Sequence, residues 1–407
     1  MGNRSLKLSF SQIKEILFTL FVLMLIMLTD SLWIRNVSFN RFYLMIVIGI
    51  VFFFLGLNHC PKKKFYTIGI IIAALFICLA INRDLSLMIP YKAAIVFIAW
   101  FVAYNVDYER LIKRYVDIML FISVFSLLCM VFRDLIVGNP AIPTLPVGTY
   151  GTKALFFTNV KIGSNNLYFL RNQGPFWEPG VYQAYLNLAL FYLVFAIHEK
   201  KKAWKIALLI IAIASTMSTT GYVVFAFIVM AYLLSKETRG IGNKIWIAVI
   251  AIAVVFLAIN NDTVNYLLFD KLGATSINYI SNATRLYSIV QNFKGIGMNP
   301  ITGIGPSSFS KLFEDSTSIF GVVSTGVNTT TSLSVWALYG VIYFVIFNLG
   351  ILCFPRQFVH NTTPYILVIV ALIIIYNTES LNYSLFFNIV TMIGLVSFRR
   401  RNQRQET

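Results

Sequence analysis

The densest group of residues able to handle an anion is Arg171-Asn172-Gln173-Gly174-Pro175-Phe176-Trp177-Glu178-Pro179-Gly180. Proline suits the first turn of a helix, so Pro179 predicts Glu178 at a helix N-terminus, beside the positive end of the helix dipole. The Gly-Pro turn at 174–175 returns Arg171 toward the same spot. A guanidinium, a carboxylate and free backbone N–H groups then meet, as an anionic, hydroxyl-bearing substrate requires. The dipole and the arginine weaken Glu178 as a base, and suit it to orienting Arg171 or holding a sugar hydroxyl. The plainer alternative for the stretch is an interfacial Trp/Phe anchor with a local Arg–Glu pair.

Arg285, in Ser281-Asn282-Ala283-Thr284-Arg285, is the second candidate. It is predicted at the start of a helix, where a cation opposes the dipole and calls for an outside partner. A solvated or lipid-phosphate-facing arginine is the alternative. The glycine-rich stretch 295–306 lacks the Lys-Ser/Thr of a phosphate-binding loop, so a sharp turn back toward a membrane is the better reading. Glu379, at the outer end of an apolar run, is the remaining acidic candidate, against simple exposure at a helix end. His59, His198 and His360 all fall in connections on the other side, so chemistry at this face proceeds without imidazole. Cys60, Cys78, Cys129 and Cys353 show no paired spacing, which argues against a disulfide framework or a zinc site.

The elements that must position these residues are apolar helices. The 407 residues are 58% hydrophobic and only 12% charged, with mean hydropathy +0.76. Each bilayer span takes roughly 20 apolar residues, because backbone polar groups in hydrocarbon must be satisfied within the helix. Apolar runs predict an all-α polytopic membrane protein of about twelve transmembrane helices. They lie near 16–33, 42–57, 65–81, 92–106, 116–137, 180–197, 204–218, 220–235, 245–260, 333–354, 364–379 and 384–398. The pair around 218–221 reads either as a hairpin or as one long bent segment. The spans themselves carry almost no ionisable groups in their middles, which lowers the case for an ion-coupled transporter.

A formal charge of +17 would point to nucleic acid in a soluble protein. Here most of the 33 Lys and Arg fall in alternate connections, including 62–64, 110–114, 200–205 and 399–404. That bias is an orientation signal, and it predicts both termini in the cytoplasm and a retained first span rather than a cleaved leader. Two large extracytoplasmic loops result, 138–179 and 261–332, within one transmembrane domain spanning 1–407. Aromatic and β-branched stretches argue for order in the first. In the second, Leu286, Ile289, Val290 and Phe293 follow the i, i+3, i+4, i+7 spacing of an amphipathic helix. It is predicted to lie on the membrane surface and to end at Gly295 and Gly297.

The Arg-x-x-Gly-x-Phe-x-Glu-Pro-Gly stretch at 171–180 resembles the Wzy-type polysaccharide polymerases of the O-antigen polymerase and ligase superfamily. Further similarity lies in Arg285 followed by 299–305, and in 328–340. The resemblance implies transfer of a growing glycan from polyprenyl pyrophosphate to a sugar hydroxyl of a lipid-linked repeat unit, at the outer face of a bacterial plasma (inner) membrane. It implies neither cofactor nor metal. Arg171, Arg285 and Glu178 would be catalytic, with Trp177, Gly180, Asn299 and Glu379 in contact with substrate. Its expected partners are the lipid-linked oligosaccharide, membrane lipids and a chain-length regulator, with no nucleic acid. The related ligases carry a functional histidine in the second outer loop, and 261–332 holds none, which favours polymerase over ligase. A lipid-linked oligosaccharide flippase or other transporter is the alternative from a different class, although two similar halves are not visible.

Overall fold

A computed structural model describes residues 10–36, 65–147, 150–163, 170–199, 202–235, 279–314 and 327–405. The spans expected at 42–57 and 245–260, and much of the segment 261–332 expected as a second outer loop, lie outside these residues. The chain is mostly helical. Among the described residues four helices are long and apolar enough to cross a membrane: Ser11–Asp30, Met88–Asn105, Tyr108–Val131 and Ser332–Gln357. These lengths and compositions are those of a helical membrane protein.

In chain order the helices are α1 (Phe10–Asp30), α2 (Leu32–Asn36), α3 (Phe65–Asn82), α4 (Met88–Asn105), α5 (Tyr108–Val131) and α6 (Arg133–Gly138). Then come α7 (Pro179–Phe195), α8 (Ala203–Ser215), α9 (Thr219–Leu234), α10 (Tyr279–Met298), α11 (Gly305–Glu314), α12 (Ser332–Cys353), α13 (Thr362–Thr378) and α14 (Leu385–Gln405). Every residue of α7 is buried, which makes it the central post of the bundle. It packs on α5, α8 and α9, while α9 lies against α13 and α14 against α4 and α12. Gly350 and Gly394 allow the last of these approaches, since a side chain at Gly394 would strike the Gly350 carbonyl.

The all-α expectation needs one correction. Within 138–179, β1 (Thr144–Val147), β2 (Tyr150–Leu155) and β3 (Thr158–Lys161) form an antiparallel three-stranded sheet in sequence order. Leu155 pairs with Thr158 across a turn made of Phe156 and Phe157. Arg133, buried on α6, ties the sheet to the bundle by donating to the Lys161 and Gly163 carbonyls.

The segment 261–332 also departs from expectation. Its helix, α10, runs through Gly295 and Gly297 to Met298, because Gly295 fits against Ile304 and Ala337 and packing carries the helix past it. Its apolar residues Leu286, Val290 and Phe293 are exposed, whereas Ser288, Gln291 and Asn292 are buried. Ser288 and Asn292 donate to the Asn328 side chain. The polarity is inverted relative to a soluble protein, as in a helix whose outer face meets hydrocarbon. The following glycine-rich turn docks into a break in α12 at Gly340, whose φ is 82°. There Val341 N–H donates to the Pro300 carbonyl, Ile304 N–H to the Ala337 carbonyl and the Trp336 indole to the Pro300 carbonyl. The broken helix thereby recovers backbone partners that hydrocarbon would not supply.

The two ends of the bundle differ in kind. At one end Glu15 of α1 bonds Arg110 and Arg114 of α5, and Lys205 of α8 bonds Glu199. At the other end of the same helices, Asp30 receives the Tyr185 and Ser384 hydroxyls, Asn172 donates to Ser126, and Ser215 ends α8 ahead of the break before α9.

Candidate functional site

The 171–180 segment is pinned from several sides. Asn172 N–H donates to the Ser215 carbonyl, Asn159 N–H of β3 to the Gly174 carbonyl, and Leu32 N–H of α2 to the Pro175 carbonyl. Gly174 sits at φ +52°, and an added Cβ would lie 2.9 Å from the Tyr182 ring. Phe176 stacks on Tyr185, with ring centroids 4.4 Å apart. The chain then enters α7 with Pro179 in its first turn and Glu178 as the residue that precedes it.

The two arginines are anchored on either side of one interruption. Residues 216–218 separate α8 from α9, which are two short helices and not one bent span, and Met217 takes a left-handed φ of 46° at the break. A helix ends with unsatisfied carbonyls and a partial negative charge. Arg171 uses that end of α8, donating from Nε to the Thr216 carbonyl at 3.1 Å. Arg285 donates from Nη1 to Thr220 Oγ1 at 3.0 Å, in the first turn of α9. The anchors are four residues apart, so their Cα atoms cannot be separated by more than roughly 14 Å. Arg285 stands in the second turn of α10 rather than at its start, so its partners hold it in place and not any tension with the dipole.

Beneath them is Glu379, immediately beyond α13 and buried. Arg285 Nη2 stands 3.8 Å from its Oε1. Burial raises the Glu379 carboxyl well above the usual carboxylate range, and the neighbouring Glu178 pushes it further the same way, while Arg285 and Arg171 oppose the shift. Glu178 itself is exposed. Gly180 lies directly against the Glu379 carboxyl, and a methyl group there would collide with it. Gly180 thus gives Glu379 its clearance. The expectation that Glu379 is simply exposed at a helix end does not hold.

Lys161, at the end of β3, joins the group, and sequence reasoning missed it. It is buried, and its ammonium is pushed down to about 7 by that burial and by Arg171, with Glu178 opposing. Three cations and two carboxyls thus converge from 161–178, α10 and the α13–α14 turn, around the anchors of the α8–α9 break.

Two expected contacts lie apart from this group. Trp177 stacks under the Arg35 guanidinium, 4.8 Å from its ring centre, at the rim of α2. Asn299 bonds Thr302 within the glycine-rich turn, and the 14 residues between it and Arg285 on α10 correspond to about 20 Å of helix. Its side chain shapes that turn.

Among the described residues, two ionisable side chains that the sequence reading did not single out are buried near the ends of their helices rather than in the middles. Lys92 of α4 is fully buried, with Nζ donating to the Asn382 carbonyl at 2.5 Å and to Asn388 Oδ1 at 2.9 Å. Asp30 accepts from Tyr185, Ser384 and Thr29. The available signal was a charged residue set within an apolar run. Glu379, Asn382 and Ser384 all belong to the α13–α14 turn, so that turn meets Arg285, Lys92 and Asp30 together. Compared with known proteins, the chain matches no family model, no curated protein and no solved structure.

Proposed function

We propose that this chain is a glycan polymerase of a bacterial plasma membrane. It transfers a growing glycan from polyprenyl pyrophosphate to a sugar hydroxyl of a second lipid-linked repeat unit at the outer face. The observation that carries this reading is the anchoring of Arg171 and Arg285 on the two sides of the α8–α9 break, with Lys161 beside Arg171. A diphosphate is already an activated leaving group, so the protein's task is to bind it and offset the charge that develops as it departs. A guanidinium can meet phosphate oxygens in a bidentate, planar contact that a lysine cannot reproduce. The opposite end of the bundle carries the Glu15, Arg110, Arg114 and Lys205 ion network, which supports a cytoplasmic N-terminus and an outward-facing arginine site.

The test is chain lengthening in cells. Arg171→Ala and Arg285→Ala, each inserted at normal level, are expected to leave single repeat units in place of polymer, and Arg→Lys at either position to be nearly as damaging. Polymer of ordinary length from both alanine variants ends the reading. A lipid-linked oligosaccharide flippase is the second reading, favoured by Lys92 and Asp30 inside the bundle. Deleting the gene separates the two: single units reaching the outside indicate a polymerase, and units trapped inside indicate a flippase.

A further inference from the structure

Two carboxyls from distant parts of the chain meet at the floor of the arginine site. Glu379 is buried against Gly180, and its Oε1 has no hydrogen-bond partner among the described residues, with Arg285 Nη2 standing off at 3.8 Å. Glu178 lies against it from the start of α7, exposed, with a side chain that caps none of the helix N–H groups. Arg285 and Arg171 face Glu379, and Lys161 faces Glu178. These cations moderate the pair without bridging Oε1. Two adjacent carboxyls cannot both ionise cheaply, so the buried one holds a proton and the exposed one is free to act.

We propose that Glu178 and Glu379 work as one proton-sharing pair, in which Glu178 accepts the proton of the attacking sugar hydroxyl and Glu379 is its buried partner. The assignment rests on the polymerase reading. The acceptor O–H bond breaks and its proton passes to a Glu178 carboxylate oxygen. The hydroxyl oxygen forms the new bond to the anomeric carbon of the donor glycan. The bond from that carbon to the diphosphate oxygen breaks, and its electron pair departs on the lipid diphosphate toward Arg171 and Arg285. Glu178, open to solvent, then returns its proton to water. The local sequence shows only cations and a dipole beside Glu178; the fold adds Glu379 from the far end of the chain, a second carboxyl that holds the shared proton.

The experiment uses full-length protein in liposomes, supplied with lipid-linked repeat units extracted from cells lacking it. Wild type is expected to build polymer with a bell-shaped pH profile of kcat, measured at saturating donor so that the titration of Lys161 does not enter. E178Q is expected to lower kcat about 100-fold or more while donor KM stays within about threefold. E379Q is expected to keep the acid limb and lose the alkaline one, because its amide cannot ionise and repel Glu178. Infrared spectra of the wild type at neutral pH should show a protonated carboxyl band that is absent from E379Q, a readout independent of turnover. No polymer from wild type overturns the polymerase reading and the base role with it. Polymer from wild type together with an E178Q kcat within tenfold overturns the base role alone. An E379Q profile with both limbs, an inserted E379Q inactive at every pH, or no carboxyl band in the wild type overturns the pairing.

Discussion

At the scale of single residues, the site is a small cluster of cations whose charge depends on pH. Lys161 is held down to about 7 by burial and by Arg171. Below that pH the ammonium adds attraction for a diphosphate, and above it the neutral amine adds none. Donor KM is therefore expected to rise as pH climbs through neutrality, and Lys161→Met to remove that slope while weakening donor binding on the acid side. Steady-state kinetics across the range check this, and a flat wild-type KM would contradict it. A second expectation concerns Gly180. Its replacement by Ala sets a methyl on the Glu379 carboxyl, which costs about 1–3 kcal/mol as overpacking and pushes Glu379 away from Arg285. Activity should fall more steeply than thermal stability, and unchanged turnover would show that the close approach has no bearing on the site. Arg171 and Glu178 were legible in the sequence because a ten-residue motif carries its own turn and helix start. Lys161, Thr216 and Thr220 were not, since each owes its position to contacts between segments far apart in the chain.

At the scale of elements, most helices were readable from apolar runs alone, because a hydrocarbon environment demands long uninterrupted segments. The sheet was not. Its β2–β3 turn is built from Phe156 and Phe157, with none of the Gly, Asn or Asp that normally announces a hairpin. Phe157 instead packs edge-on against Phe121 of α5, at 5.0 Å between ring centres, so tertiary packing sets the turn. The reverse error occurred in α10, where glycines read as a stop became contact points. The most demanding element is α12, whose break at Gly340 receives the backbone of Ile301 and Thr302. Gly340→Ala must adopt a positive φ and also push against that backbone, a loss of about 1–3 kcal/mol from conformation alone. Thermal unfolding in detergent should show a clearly lowered midpoint, whereas Gly69→Ala, which meets nothing within 4 Å, should leave it in place.

At the scale of the whole molecule, the separation of an ion network at one end from the arginine site at the other makes sidedness testable. In a variant whose native cysteines are replaced by serine, Phe156→Cys at the exposed hairpin turn is expected to react with an impermeant maleimide on intact cells. Lys113→Cys, exposed beside Arg114, should react only after permeabilisation. The opposite pattern would place the site in the cytosol and remove its access to an outward-facing lipid-linked glycan.

The interruption at 216–218 acts as a ruler. Arg171 and Arg285 arrive from separate loops, yet the gauge between their footholds is set by a few consecutive backbone units, not by how remote helices settle. One extra residue inserted there would lengthen the tether between the two footholds by up to about 3.5 Å and shift Thr220 relative to Thr216. Arg285 would lose its foothold even though no charged group had been altered, and a graded series of insertions would measure how finely the chain spaces its two clamps.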